Sequence, residues 1–198
     1  MPKKKSINSH QLRLIIFVTL ASFALASTMF IVFVLHPYKF DLSKETFMLN
    51  NMKIQSEAFD NETKIPSKYT CDGENISPPL TISQVPEKTE SLVLIVEDPD
   101  APDGNFTHYL AWNINPKTTE ISEGKLPLDA VIGKNDFGDN FYGGPCPPSG
   151  IHRYNFKLFA LNSVINLDKN SNQKTLEEVI EEHVIGEAKI VGLYSKSS

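Results

Sequence analysis

An uninterrupted apolar run near the amino terminus limits what this 198-residue chain can fold into. Residues 14–35 carry no charge and, at about 1.5 Å per residue, would form a helix about 33 Å long, enough to cross a membrane. Basic side chains precede the run, and Lys and Arg are retained on the cytoplasmic side. We therefore predict a cytoplasmic tail over residues 1–13, a single-pass transmembrane signal anchor over residues 14–35, and an extracellular or periplasmic location for the rest.

Two other interpretations of the apolar run stay open. Ala24, Leu25 and Ala26 have the small-x-small spacing that signal peptidase prefers, so the run could be a cleaved signal peptide and the domain a secreted one. The apolar residues continue from Met29 to Leu35, where a cleaved peptide would turn polar, which favours the anchor. The third interpretation is a soluble protein with a buried helix. The first two both export the remainder of the chain.

The part of the chain beyond the run is acidic and contains two cysteines. Residues 36–198 hold 15 basic and 24 acidic side chains, which disfavours a nucleic-acid partner. In an oxidising compartment Cys71 and Cys146 are expected to pair as a disulfide, with two separate buried thiols as the alternative. Export would also make three Asn-x-Ser/Thr triplets possible glycosylation sites: Asn61, Asn75 and Asn105.

The pattern of short apolar runs predicts one mainly β domain. Residues 36–52 are expected to form a juxtamembrane linker, and residues 53–198 contain no repeat or low-complexity segment that would divide them. Thr175 and Glu178 form a capping box at the start of one helix, whose apolar stripe continues until Gly186. Six runs rich in β-branched and aromatic residues predict strands: 53–59, 80–82, 91–97, 108–114, 152–161 and 188–194.

Three of these predicted strands carry polar side chains at one end of an apolar face. Asp98 ends one such face, His108 begins another, and His152 and Tyr154 begin a third. If the first two strands are antiparallel neighbours, Asp98 and His108 meet at one edge of the core. Hydrogen-bonded boundary residues with no ligand are the alternative. The apolar residues of the three faces are Leu92, Leu94 and Val96; Leu110, Trp112 and Ile114; and Phe156, Leu158 and Ala160.

The loops beside these strands are stiff. Residues 98–104 alternate acids with prolines, which fixes the backbone of the turn. Residues 133–150 form a long irregular segment whose glycines and prolines are typical of an anion-binding loop. Arg153 is the only Arg beyond residue 13, and alternation turns it away from His152 and Tyr154. We therefore expect it to brace an acidic partner.

Two long motifs resemble the signature regions of the phosphatidylethanolamine-binding protein (PEBP) family, also called Raf kinase inhibitor-like proteins. The first is DPDAP at 98–102 with THYLAWNI at 107–114, and the second is YGGPCPPSGIHRYNFKLFAL at 142–161. The stretches YTCDGENISPPL at 69–80 and GLY at 192–194 resemble the bacterial and archaeal branch. The resemblance implies a large central antiparallel β-sheet packed with a smaller sheet and flanked by a few helices.

The resemblance also implies an anion pocket and a function. The family's pocket residues correspond here to Asp98, His108, Gly144, Pro145, His152 and Tyr154. We therefore expect residues 53–198 to be a PEBP-like module that binds an anionic phospholipid headgroup or a phosphorylated small molecule. A cell-surface inhibitor of extracellular serine proteases is the alternative that the family also suggests.

Catalysis is not expected from this set of residues. Ser149 lies outside a Gly-x-Ser-x-Gly turn, and Cys146 would need to be a free thiol to act as a nucleophile. The histidines lack the spacing of a zinc site, so neither a metal nor another cofactor is predicted.

Overall fold

The protein is represented by a computed structural model, which describes residues 51–196, and these form two β-sheets with one α-helix in this range. The helix, α1, spans Gln173–Ile180, and 3-10 turns cover Ser67–Tyr69 and Glu181–His183. The strands are β1 (Lys53–Gln55), β2 (Thr63–Lys64), β3 (Leu80–Ser83), β4 (Ser91–Asp98), β5 (Phe106–Ile114), β6 (Glu120–Ile121), β7 (Val131–Ile132), β8 (His152–Leu161) and β9 (Val184–Tyr194). All six predicted strands are present, and β2, β6 and β7 are too short for the apolar pattern to predict.

The larger sheet is mixed, whereas a wholly antiparallel sheet was predicted. Its strand order is β2-β9-β8-β4-β5-β7, and the smaller sheet has the order β1-β3-β6. The edge strand β2 pairs parallel to β9, with Thr63 opposite Gly192. Gly192 allows this close approach, because a Cβ there would lie 2.4 Å from the Ile65 side chain.

The larger sheet is covered on both faces at β4, which explains why every residue of that strand is buried. One face packs against the smaller sheet, and Leu94 and Val96 share a core with Ile82 of β3. The other face carries Val93 and Ile95 and is covered by α1. The sequence of a strand that is buried on both faces is a continuous apolar run, and β4 has such a run between Leu92 and Val96.

Helix α1 begins earlier than the predicted capping box. Asn172 is its N-cap, with an extended backbone and a side-chain oxygen that accepts a hydrogen bond from Thr175 N at 3.0 Å. Thr175 is therefore inside the helix, and Gly186 lies in β9. The expectation of several flanking helices is also wrong for residues 51–196, since the remaining helical turns there are 3-10 turns.

The predicted basic tail, the signal anchor and nearly all of the linker fall on residues 1–50, outside the described residues. Within residues 51–196, no helix has the length and apolar character needed to cross a membrane.

Candidate functional site

A β-bulge sets the position of His108. Strands β4 and β5 pair antiparallel, as predicted, but their register shifts near the site. Val96 lies opposite Tyr109, whereas Glu97 lies opposite Thr107, so His108 is an extra residue on β5. Such a bulge interrupts the alternation of side chains between the two faces of the sheet.

The bulge places His108 on the face opposite to Leu110 and Trp112. Leu110 and Trp112 belong to the core beneath α1, whereas His108 packs edge-on against the ring of Tyr154, 5.2 Å between centroids. The prediction that His108 shares a face with Leu110 and Trp112 is therefore wrong. Its expected meeting with Asp98 is nevertheless found, because both side chains line one cavity.

Asp98 and His152 form a buried pair across two neighbouring strands. Strand β8 lies on the other side of β4 from β5, so the ends of all three strands meet. His152 Nδ1 lies 2.7 Å from Asp98 Oδ2, and the other Asp98 oxygen accepts a hydrogen bond from Asp100 N at 2.9 Å. The carboxylate thus orients the imidazole by accepting the Nδ1 proton, and Nε2 is left for a ligand.

His108 is held in the same way by a backbone carbonyl. Its Nδ1 donates to Gly143 O at 2.7 Å, which again leaves Nε2. Burial lowers the pKa of His108, and the Gly143 carbonyl and the Asp98 and Asp136 carboxylates offset this only in part. At neutral pH His108 is therefore mainly uncharged, and it becomes a second N–H donor at its Nε2 only in more acidic solution.

Three aromatic rings surround the imidazole of His108. Phe106, Phe137 and Tyr154 pack edge-on against it with centroid distances of 5.2, 5.4 and 5.2 Å. Phe137 is a site residue that sequence reasoning missed. Phe137 lies in the irregular segment 133–150, where no periodicity indicates the direction of a side chain.

The hydroxyl of Tyr154 has no hydrogen-bond partner within residues 51–196, although it is buried. Burial raises its pKa, and the nearby Asp98 carboxylate raises it further, so the phenol stays protonated. Asp98 lies close enough to affect the pKa, but no hydrogen bond of normal geometry joins the two groups. The Cys146 backbone acts in the opposite direction and lowers the pKa, so the Tyr154 hydroxyl has polar neighbours on two sides but no hydrogen bond of normal geometry.

These side chains line a cavity of about 480 Å³. Its walls include Pro102 in the turn after β4 and Pro147 and Pro148 in the loop before β8. No Lys or Arg lines it within the described part of the chain, whereas Asp103 and Asp136 do. The cavity therefore offers a phenol donor, and imidazole donors when the rings are protonated, beside carboxylates, a combination that suits a ligand with both an anionic and a cationic group.

Gly144 and Pro145, predicted as ligand contacts, lie behind the cavity wall. Neither lines the cavity; Gly144 N donates to Asn75 Oδ1 at 2.8 Å and Pro145 O accepts from Cys71 N at 3.1 Å. A Cβ on Gly144 would lie 2.6 Å from Tyr69 O, which explains the glycine. The wall itself begins at Cys146, which is joined to Cys71 in the predicted disulfide.

Two of the predicted glycosylation sites lie beside this site. Asn105 lines the cavity, and its Nδ2 donates to Glu97 Oε2 at 3.0 Å. Asn75 is exposed and binds the loop at Gly144. The third, Asn61, accepts a hydrogen bond from Val191 N at 2.9 Å and does not line the cavity.

Arg153 braces the turn after β4, as predicted. Its Nε and Nη2 atoms donate to the two Asp100 carboxylate oxygens at 2.9 and 2.6 Å, and its backbone N donates to Oδ2. The guanidinium lowers the pKa of Asp100 to about 2. The fork of Arg153 thus holds the proline-containing turn over the cavity.

Replacing Phe137 by Ala is expected to raise the pKa of His108 towards its ordinary value of 6.5. The ring covers the imidazole, and its removal admits water that stabilises the charged form. Titration of the His108 ring protons by NMR measures this, with Phe141→Ala as the control because Phe141 does not line the cavity. A lower His108 pKa in Phe137→Ala would contradict this prediction, because it would show that contact with the ring stabilises the charged imidazole more than the exclusion of water destabilises it.

Comparison with known proteins identifies the family. The family model for phosphatidylethanolamine-binding protein matches residues 55–195. A UPF0098 protein of Methanothermobacter thermautotrophicus is 48% identical over 150 residues, covering 73% of this chain and 99% of its own length. A UPF0098 protein of Chlamydia pneumoniae is 44% identical over 151 residues, covering 74% and 100%.

Solved structures lead to the same family. The crystal structure of a phosphatidylethanolamine-binding protein homologue from Chlamydia trachomatis matches with a TM-score of 0.72 and 40% identity, covering 75% of this chain and 99% of that one. YbcL of E. coli, a member of the mammalian PEBP family, matches with a TM-score of 0.70 and 33% identity, covering 74% and 99%. The chain therefore belongs to the phosphatidylethanolamine-binding protein family.

Proposed function

We propose that this protein is a non-enzymatic module that binds a phosphate-containing headgroup or small molecule in the cavity between β4, β5 and β8. The meeting of His108, His152 and the Tyr154 hydroxyl at one cavity carries this proposal. His108 and His152 each have Nδ1 occupied, so both can direct Nε2 to the same ligand. Phosphate oxygens are strong acceptors for the Tyr154 hydroxyl, and for an Nε2 atom whose imidazole is protonated.

The charges around the cavity favour a zwitterionic ligand. Asp98 is already engaged by His152, but Asp103 and Asp136 also line the cavity. A bare phosphate dianion would meet these carboxylates without a Lys or Arg to offset them, whereas an ammonium group on the ligand would be attracted to them. Phosphoethanolamine combines the two groups that the cavity can accommodate.

Binding without catalysis is part of the same proposal. The Cys71–Cys146 disulfide removes the thiolate that a Cys146, His152 and Asp98 triad would require. The alternative function, inhibition of extracellular serine proteases, stays a prediction with no feature of the described residues favouring it. Residual activity of secreted proteases in the presence of the protein separates the two functions.

Calorimetric titration of the purified full chain with phosphoethanolamine tests the proposal. We expect saturable one-to-one binding at millimolar ligand or below, and weaker binding of ethanolamine, which lacks the phosphate. Undetectable binding of phosphoethanolamine at millimolar concentration, or equal binding of ethanolamine, would exclude the phosphate as the recognised group.

The location of the module is proposed from the apolar run over residues 14–35 and the basic residues before it. With the anchor uncleaved, the amino terminus is cytoplasmic and the PEBP-like domain is outside the membrane. Protease added to intact cells is then expected to remove an epitope at the carboxyl terminus. Protection of that epitope until the cells are lysed would contradict this topology.

A further inference from the structure

An open groove lies between α1 and the strands β8 and β9. It has a volume of about 430 Å³ and shares no lining residue with the ligand cavity. Its floor is apolar and consists of Phe159, Ile180 and Val184. The floor stays open because α1 is a short helix, and Phe159 and Val184 at the margin of the core beneath it are only partly buried. We call this space the α1 groove.

Acidic side chains surround the floor of the α1 groove. The described residues that line it include four glutamates and one lysine, Lys174, whose Nζ lies 3.9 Å from Glu178 Oε1. Glu187 stands beside the floor, because it lies opposite Phe159 in the pairing of β8 with β9. In the part of the chain that the structure describes, no hydrogen bond or ion pair engages the carboxylate of Glu181 or Glu187. The rim therefore carries two carboxylates that have no ion-pair partner there.

The carboxylates of the rim are spaced along the groove. They belong to α1, to the 3-10 turn after it and to β9. Glu177 is held in place, because its Oε1 accepts a hydrogen bond at 2.8 Å from Nε2 of the buried Gln173. The described residues contain no group of three or more His, Cys, Asp or Glu side chains that could hold a metal ion. The rim is therefore suited to separate basic groups and not to one coordinated cation.

We propose that the α1 groove is a docking site for a segment of another protein in which apolar side chains lie between Lys or Arg residues. The apolar side chains cover Phe159 and Val184, and the basic side chains pair with Glu181 and Glu187. Charge complementarity selects this occupant, because the rim repels an anionic membrane surface or a nucleic acid. A polyamine carries the charges but has no large apolar side chain to cover the floor. This site is separate from the cavity and does not depend on the proposed function.

The test measures binding of a short peptide to the purified full chain. The peptide has blocked ends and two leucines that lie between pairs of lysines. Its fluorescence anisotropy is followed in about 0.1 M salt, where charges more than about 10 Å apart are largely screened. We expect saturable binding, and about tenfold or more weaker binding of a peptide in which serines replace the leucines.

Charge reversal at the rim locates the bound peptide. Glu181→Lys/Glu187→Lys is expected to weaken binding of the leucine peptide about tenfold or more, because each substitution replaces an attraction by a repulsion. Glu57→Lys/Glu87→Lys is the matched control, since it changes the net charge equally at exposed residues that do not line the groove. We expect the control to change the affinity less than about twofold. Circular dichroism checks that both double variants are folded.

The possible outcomes decide between the occupants of the α1 groove. Absence of saturable binding, equal affinities of the leucine and serine peptides, or an equal loss in the two double variants would overturn the docking site. Displacement of the leucine peptide by an equal concentration of spermidine would contradict it in favour of a polyamine. A dimer of the full chain in sedimentation that Glu181→Lys/Glu187→Lys dissociates would contradict it in favour of a second copy. None of these results affects the cavity, which phosphoethanolamine binding tests separately.

Discussion

Lys157→Met is expected to lower the free energy of unfolding by about 2–3 kcal/mol, because it leaves a buried carboxylate without its countercharge. Lys157 Nζ lies 2.5 Å from Glu97 Oε1, and Glu97 is buried. Burial acts to raise the pKa of Glu97, but hydrogen bonds from Lys157, Gln173 and Asn105 outweigh it and keep the pKa below 4.5. Chemical denaturation at pH 7 measures the loss.

The pH dependence identifies the cause of this loss. In Lys157→Met one of the groups that lower the pKa of Glu97 is missing, so burial raises that pKa. The loss in free energy of unfolding is present above the raised pKa, and it is relieved as the pH falls and Glu97 is protonated. Lys174→Met is the control, because Lys174 is exposed and lies 3.9 Å from Glu178. Equal effects of the two substitutions, or a loss at Lys157 that persists unchanged at pH 4, would contradict an electrostatic origin.

Glu97 links the stability of the sheet to the geometry of the site. It follows Val96 on β4 and points to the face opposite Asp98, where Gln173 of α1 donates to it at 2.5 Å. Asn105, in the turn that covers the cavity, donates to the same oxygen at 3.0 Å. The network therefore joins α1 to the turn, and disturbance of Glu97 is expected to loosen the cavity wall.

His152→Ala is expected to weaken phosphoethanolamine binding by about 10-fold to 150-fold, the range for the loss of a charge-assisted hydrogen bond. The substitution removes one donor to the ligand. It also leaves the buried Asp98 carboxylate without its imidazole partner, and the negative charge of that carboxylate repels an anion. His183→Ala serves as the control, because His183 bonds Asn162 and does not line the cavity. Calorimetric titration measures all three proteins.

The double variant His152→Ala/Asp98→Asn separates these two contributions. Removal of the unpaired charge is expected to recover part of the affinity that His152→Ala loses. If the single His152→Ala variant binds as tightly as His183→Ala, His152 is not a ligand contact.

The strands and most of the site could be predicted from the sequence because both depend on local alternation. On β8, His152, Tyr154 and Phe156 lie buried on one face, as the period of two predicts. On β5 the same rule fails at His108, because the bulge inserts a residue that no glycine or proline indicates. The meeting of β8 with β4 is a long-range pairing, which alternation does not specify.

The loop residues of the site could not be predicted for a different reason. Phe137 contacts His108 from a segment with no regular structure, so its direction is set by packing against Gly143. The family resemblance assigns Gly144 and Pro145 to the pocket, and they lie in a segment whose glycines and prolines are typical of an anion-binding loop. In the structure their backbone atoms bind Asn75 and Cys71, and they support the wall from behind.

The pH dependence of binding to the wild type and to His108→Gln tests the central claim most directly. Glycerophosphoethanolamine is a suitable ligand, because a phosphodiester keeps one negative charge throughout the range and the ligand charge does not titrate. Because burial lowers the pKa of His108, we predict that affinity rises as the pH falls, with a midpoint below 6.5 that disappears in His108→Gln. Affinity that is constant between pH 8 and 4.5, or that changes equally in both proteins, would contradict phosphate binding at His108.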